Sequence, residues 1–91
     1  MKDKTEETLI ERGKNYGSFQ TGAITMQTLK RVVRDNRNYR NLSSAQCEAI
    51  DMILHKIGRV VNGNPNYADN WHDIAGYAKL IENQINGEGE V

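Results

Sequence analysis

Four acidic residues in the second half of the chain are spaced so that they could act together. Glu48 and Asp51 are three residues apart, and Asp69 and Asp73 are four residues apart. Residues at these spacings share one face of an α-helix. If two such helices pack antiparallel, their carboxylates can meet, and carboxylate oxygens are ligands that Mg²⁺ prefers. The sequence therefore predicts a Mg²⁺ site whose ligands are Glu48, Asp51, Asp69 and Asp73.

Basic and aromatic residues near these acids suit a ligand that carries phosphate groups. A bound Mg²⁺ can bridge phosphate oxygens and position an attacking water. Lys56 and Arg59 follow the first acidic pair on the same predicted helix and could offset phosphate charge, Arg59 with a bidentate fork. Closer to the N-terminus, Lys14 offers another positive charge and Tyr16 offers a ring for stacking.

The same residues also have a purely structural interpretation. Asp69 is a natural helix N-cap, and Asp73 and Glu48 suit the first turn of a helix. Asp51 can be half of a surface ion pair, and the segment around Tyr16 can simply link two helices. Because acids are seldom buried without partners, burial of the whole set would favour the metal site.

Two strong helical patterns must position the acids. The first begins at Ser43, where Gln46 completes a capping box, and it ends at Gly63. The second begins near residues 69–70 and ends at Gly87. One short loop joins the two patterns, which predicts an antiparallel helical hairpin.

Apolar residues form a broad arc on the first of these helices and a stripe on the second. Ile53 and Ile57 lie at the centre of the arc, so we expect both to be buried. The arc consists of Cys47, Ile50, Ile53, Leu54, Ile57, Val60 and Val61, and the stripe consists of Trp71, Ile74, Ala75, Ala78, Ile81 and Ile85.

Two shorter helical patterns come earlier, at residues 3–13 and 23–35, and Gly13 is expected to end the first. Residues 35–41 are polar and suit a connection, and no segment favours a β-strand. The prediction is therefore an all-α, four-helix bundle-like fold.

The chain is predicted to form a single domain, residues 1–91, with frayed ends at residues 1–2 and 87–91. A domain of this size buries a modest core. The first two helices supply few apolar residues to cover the arc and the stripe of the last two. We therefore predict that identical chains assemble into an oligomer.

The charge of the chain is balanced, with 12 Lys plus Arg and 12 Asp plus Glu, so no net charge favours nucleic acid or a membrane surface. A local basic cluster could bind RNA, but Tyr39 is its only aromatic residue, and nucleic-acid binding is not favoured. Cys47 is the only cysteine, which excludes an internal disulfide and a Cys-rich zinc site. The basic cluster consists of Lys30, Arg31, Arg34, Arg37 and Arg40.

Nothing in the sequence predicts a membrane protein. No apolar run approaches membrane-spanning length. The charged N-terminal segment lacks the apolar region of a signal peptide. We therefore expect the protein to stay in the cytoplasm.

Several of these segments resemble small phage-encoded proteins of the MazG-like group, which are related to the all-α nucleoside triphosphate pyrophosphohydrolases. EAIDMILHKIGRVVNG and DNWHDIAGYAKLIE carry the resemblance in the second half, and ERGKNYGSF carries it near the N-terminus. The resemblance implies a helical bundle that assembles as a dimer or a higher oligomer in a bacterial host. It also implies Mg²⁺-dependent cleavage of an NTP to the NMP and pyrophosphate.

In that family, Mg²⁺ is held by an E-x-x-E pair on one helix and an E-x-x-D pair on the next. The resemblance places Glu48 and Asp51 at the first pair and Asp73 at the last position of the second. Asn70 stands where the remaining acid is expected, and Asp69, one residue earlier, can take its place. No catalytic residue is assigned beyond these metal ligands.

Two functional hypotheses follow. The first is a Mg²⁺-dependent NTP pyrophosphohydrolase or a nucleotide-binding protein of phage or prophage origin. The second is a non-catalytic helical oligomer that binds a host or phage protein. Convergence of the four acids within metal-bridging distance would separate them. The candidates for contact with a phosphate-bearing ligand are Lys14, Tyr16, Lys56, Arg59 and Tyr77, the last of which matches a tyrosine of the family motif.

Overall fold

The computed structural model of the protein describes residues 3–88 and contains four α-helices in that part of the chain. A short 3₁₀ segment, Arg37–Asn41, connects the second helix to the third. The predicted all-α, bundle-like fold is confirmed, and the last two helices form the predicted hairpin. The predicted frayed residues 1–2 and 89–91 lie outside the described residues. The helices are α1 (Lys4–Tyr16), α2 (Phe19–Arg34), α3 (Ser44–Asn62) and α4 (Ala68–Ile85).

The start of α3 follows directly from its sequence. The Ser43 hydroxyl oxygen accepts a hydrogen bond from the Gln46 backbone N–H at 3.1 Å, and the Gln46 side-chain oxygen accepts one from the Ser43 N–H at 2.9 Å. These two bonds form the predicted capping box. At the other end Gly63 caps the helix, as predicted.

The junction between α1 and α2 differs from the prediction. Gly13 does not end α1, which continues to Tyr16, because a glycine inside a helix costs only about 1 kcal/mol. Gly17 ends it instead, with φ at +76°. Ser18 then caps α2 by accepting a hydrogen bond from the Thr21 N–H at 3.4 Å. Helix α2 therefore begins at Phe19, earlier than the predicted residue 23.

The start of α4 also needs a correction. Tyr67 occupies the N-cap position and provides no side-chain hydrogen bond. Asp69 lies within the first turn, so the interpretation of this residue as the helix cap was wrong. Its carboxylate still lies near the positive end of the helix dipole, where an acid is favourable.

Helix α3 lies between α2 and α4, which share no substantial contact with each other. The three helices lie side by side as a layer, and the molecule is 52 Å long but only 23 Å thick in its smallest dimension. Successive residues rotate by about 100° around each helix, so the layer has two distinct sides. The polar side carries Lys30, His55, Arg59 and Asp73, and α1 lies across it. The apolar side carries Val32, Ile50, Ile53, Ile57, Val61, Trp71, Ala78 and Ile85.

This arrangement leaves the core thin. Ala49, at 6% exposure, is the one apolar side chain among the described residues that counts as fully buried. Ile53 is half-buried and Ile57 is 36% exposed, so the prediction that both are buried was wrong for the single chain. The reason is that α2 and α4 flank α3, while the centre of its apolar arc faces away from both. Within residues 3–88, no helix is both long enough and apolar enough to cross a membrane.

Candidate functional site

Hydrogen bonds from the end of α3 hold the α1–α2 junction in place. The Asn62 side-chain N–H₂ donates to the backbone carbonyls of Tyr16 and Ser18, each at 2.8 Å. The Asn64 backbone N–H donates to the Asn15 carbonyl at 2.7 Å. Because these bonds fix the last turn of α1, they place the Tyr16 side chain over the polar side of α3.

Tyr16 and Arg59, two of the predicted ligand contacts, are brought together there. The guanidinium carbon of Arg59 lies 4.3 Å from the centroid of the Tyr16 ring, a cation–π geometry. The Tyr67 ring meets Tyr16 edge-on, with centroids 5.9 Å apart and an interplanar angle of 78°. Arg59 is therefore held by one aromatic face, and the guanidinium donors remain available to a ligand.

A cleft of about 370 Å³, the basic cleft, opens between α1, α2 and α3. Four side chains that can carry positive charge line it, and no carboxylate lies among its lining residues. Apolar side chains, including Leu9 and Met26, form much of the remaining wall. A cleft with an apolar wall and convergent polar groups is typical of a small-molecule site. The four side chains are Arg12, Lys30, His55 and Arg59.

The electrostatics of His55 reflect this accumulation of positive charge. Its pKa lies below the ordinary value of 6.5, first because the ring is partly buried and then because Arg59, Lys30 and Lys56 are close. Both effects disfavour the charged imidazolium. An anion bound in the basic cleft would oppose the charge effect and raise the pKa of His55.

In the first acidic pair, one carboxylate forms an ion pair and the other is exposed. Asp51 is half-buried, and its Oδ2 lies 3.1 Å from the Nη2 of Arg34 at the end of α2. Tyr39 and then Asp51 raise the pKa of Arg34, because both stabilise the charged guanidinium. Glu48 lies one turn earlier on α3 and is exposed.

Both acids of the second pair also interact with neighbouring side chains. The Nζ of Lys56 lies 2.9 Å from the Oδ2 of Asp73, and this Lys side chain is only 12% exposed. The hydrogen bond from Lys56 holds the pKa of Asp73 below its usual value. Asp69 lies beside Tyr67 and raises the pKa of that phenol, first through its charge and then through a hydrogen bond. Lys56, which was predicted to contact phosphate, is therefore paired with Asp73, a predicted metal ligand.

The four predicted metal ligands do not converge in this arrangement. Among the described residues, no group of three or more His, Cys, Asp or Glu side chains comes close enough to hold a metal ion. As placed, these residues do not fit a Mg²⁺ site. Asn70, where the family motif has an acid, is 1% exposed, and its Nδ2 has no hydrogen-bond partner. The acids form ion pairs with Arg34 and Lys56 because of the way the helices pack, which the spacing of the acids along each helix does not specify.

The remaining predicted contacts lie apart from the cleft. Lys14 is exposed in the last turn of α1 and does not line it. Tyr77 is half-buried beside Asp73 and Gly76, in a shallow recess along α4. Sequence reasoning missed Arg12 and Asn62 as site residues. Arg12 lies within the ERGKNYGSF segment that carried the family resemblance, so that segment was the available signal.

Comparison with known proteins places the chain in a family without giving it an activity. Residues 2–85 match the model of a family described as "Domain of unknown function (DUF6378)". Because the match covers nearly the whole chain, the protein belongs to this family. No curated protein and no solved structure is significantly similar to it.

Proposed function

We propose that the protein binds a nucleotide or another phosphate-bearing small molecule in the basic cleft. The observation that carries this proposal is the lining of the cleft, where four cationic or protonatable side chains face one space without a carboxylate. Such a set attracts phosphate groups and disfavours cations. Its apolar wall gives the uncharged part of the ligand a surface on which to pack.

Individual residues have distinct roles in this proposal. Arg59 donates two parallel hydrogen bonds to phosphate oxygens, for which its planar guanidinium is suited. Tyr16 holds Arg59 in position and presents its ring edge to the base of a nucleotide. Lys30 and Arg12 neutralise further phosphate charge from the neighbouring helices. Lys14 and Tyr77 lie apart from the basic cleft and have no role in this proposal.

The reaction that we propose for such a ligand is Mg²⁺-dependent pyrophosphohydrolysis in the cytoplasm, in a protein of phage or prophage origin. The acids on α3 and α4 and the resemblance to the MazG-like group support it. It requires the ion pairs Arg34–Asp51 and Lys56–Asp73 to open, because each base otherwise neutralises a carboxylate that the metal needs. Phosphate binding in the basic cleft does not depend on that rearrangement.

The second candidate is a non-catalytic helical oligomer that binds another protein. The pairing of both Asp51 and Asp73 with bases favours it, since paired carboxylates are a common structural arrangement. Large apolar side chains on the surface outside the basic cleft, such as Trp71 on α4, also favour it.

Removal of the Arg59 charge should weaken binding of a polyphosphate ligand. We expect Arg59→Gln to bind pyrophosphate and NTPs about 10- to 100-fold more weakly, because a charged hydrogen bond contributes roughly 1.5–3 kcal/mol. Isothermal titration calorimetry with each ligand, without metal, measures the difference. Arg31→Gln is the matched control, since Arg31 is exposed and does not line the basic cleft. Equal losses in both variants, or no binding to the parent, would refute the proposed site.

The two histidines of the chain provide a second test without any substitution. Pyrophosphate in the basic cleft should raise the pKa of His55, because it opposes the charges of Arg59, Lys30 and Lys56 that now lower it. NMR titration of the imidazole signals with pH, with and without pyrophosphate, measures the change. His72 is the internal reference, since it is exposed on α4 and lies outside the cleft. A His55 titration that ignores the ligand would contradict the proposal.

A further inference from the structure

The chain exposes more surface than a folded monomer of its mass. Its accessible surface is 6821 Å². A monomeric protein of 10.3 kDa exposes about 5,350 Å². The difference, roughly 1,500 Å², exceeds the roughly 800 Å² that each partner buries in a standard protein–protein interface. Docking of a second protein surface of ordinary size would therefore remove about half of the excess.

Exposed apolar side chains accumulate on the apolar side of the layer. Ten large apolar side chains count as exposed among the described residues, and five of them lie on this side. Of the other five, Leu9 and Phe19 line the basic cleft and Leu80 lies on the polar side of α4. Ile10 belongs to α1 and Ile24 to the outer edge of α2. The five are Val32, Ile57, Val61, Trp71 and Ile85.

Helix α3 supplies an uninterrupted apolar row at the middle of this side. Ile50, Ile53, Ile57 and Val61 follow one another at spacings of three or four residues. Such a row is the seam with which one helix packs against another. The charged residues of α3 lie on its other faces, so no charge would be buried if the row were covered.

We infer that a second copy of this chain docks on the apolar side of the layer. At the centre of the contact no like charges meet, because the α3 row on each copy is uncharged. A twofold axis then pairs α3 with the same helix of the partner, and each copy supplies the apolar face that the other lacks. The area in excess is large enough for such a dimer.

The dimer leaves the basic cleft open. The cleft lies on the polar side of the layer, under α1, whereas the docking surface lies on the opposite side. Dimer formation therefore neither requires nor tests the proposed ligand site, and the two proposals fail independently.

Ile57 and Leu80 offer a matched pair of variants, because both are 36% exposed and they lie on opposite sides of the layer. Sedimentation equilibrium at micromolar concentration should give the parent twice the chain mass. Ile57→Lys should weaken dimerisation by roughly 100-fold or more, since it forces a charge into the interface. Leu80→Lys should dimerise as the parent does. A monomeric parent, or equal dissociation of both variants, would overturn the inference.

The single tryptophan gives a readout on the unmodified chain, which matters if Ile57→Lys does not fold. Trp71 lies on the apolar side and is exposed in the single chain. Its emission should be blue-shifted in the dimer and should move to the red on dilution, with the midpoint that sedimentation gives for dissociation. An emission maximum already typical of exposed tryptophan at concentrations where the mass is dimeric would place the interface elsewhere and overturn the inference.

Discussion

Gly17→Ala should be among the most destabilising single substitutions in the chain. Gly17 has φ at +76° and ψ at −161°, a backbone conformation that is essentially restricted to glycine. An added Cβ would also collide with the backbone carbonyl of Asn62. Strain and overpacking each contribute about 1–3 kcal/mol, so we expect a loss of roughly 2–6 kcal/mol. Urea denaturation followed by circular dichroism measures it.

Substitutions at three other glycines separate the effect of a positive φ from the effect of a steric collision. Gly63→Ala tests collision without a positive φ, because its Cβ would meet the backbone of Tyr16 and Asn15. Gly87→Ala tests a positive φ without collision, since nothing lies within 4 Å of its Cβ. Gly76→Ala tests neither, and should stabilise α4 by about 0.5–1 kcal/mol.

We predict the order in which the four substitutions change the free energy of unfolding. Gly17→Ala should cost the most and Gly63→Ala the next most, whereas Gly87→Ala should cost less than either because Gly87 lies beyond the last residue of α4. Retention of full stability by Gly17→Ala would mean that the α1–α2 junction does not dock on Asn62. The arrangement of the basic cleft would then be wrong as well, because the same junction positions Tyr16.

Local signals were sufficient to predict that the four helices exist and where α3 begins and ends. The capping box at Ser43 and Gln46 and the cap at Gly63 involve residues close in sequence, and both were predicted correctly. The end of α1 was predicted incorrectly. The backbone of Asn62, a residue distant in sequence, leaves no room for a side chain at position 17, so the helix ends at Gly17 and not at Gly13. Contacts of that kind leave no periodic pattern in the chain.

The candidate site was predicted only in part, for a related reason. Helical spacing established that Asp51 shares a face with Glu48 on α3. It did not establish which bases the neighbouring helices would present. Arg34 at the end of α2 and Lys56 on α3 meet the acids, and both contacts depend on how the helices are rotated against each other. Tyr16 and Arg59 were each predicted as ligand contacts, but their pairing depends on the docking of α1.

The ion pair between Arg34 and Asp51 allows a direct test of Asp51 as a metal ligand. Without ligand, Asp51→Asn and Arg34→Gln remove the same partly exposed ion pair, so each should cost less than about 1 kcal/mol. If the four predicted ligands converged, Asp51→Asn would instead relieve repulsion among clustered acids and would not destabilise the protein. That relief is not expected now, because Asp51 is paired with a base and the acids do not converge.

With Mg²⁺ and a nucleotide present, the two variants should diverge. A ligand at about 100 times its Kd stabilises the state that binds it by about 2.7 kcal/mol, and the parent should show a gain of this size. Asp51→Asn should lose the part of the gain that Mg²⁺ adds to nucleotide binding, because a carboxamide does not supply the anionic oxygen that Mg²⁺ requires. Arg34→Gln should keep or exceed it, since Asp51 is released and Arg34 does not line the basic cleft. Thermal melts of the three proteins, with and without Mg²⁺ and a nucleotide mixture, measure these differences. Equal gains in all three would eliminate Asp51 as a ligand, and no gain in the parent would favour the oligomeric interaction protein.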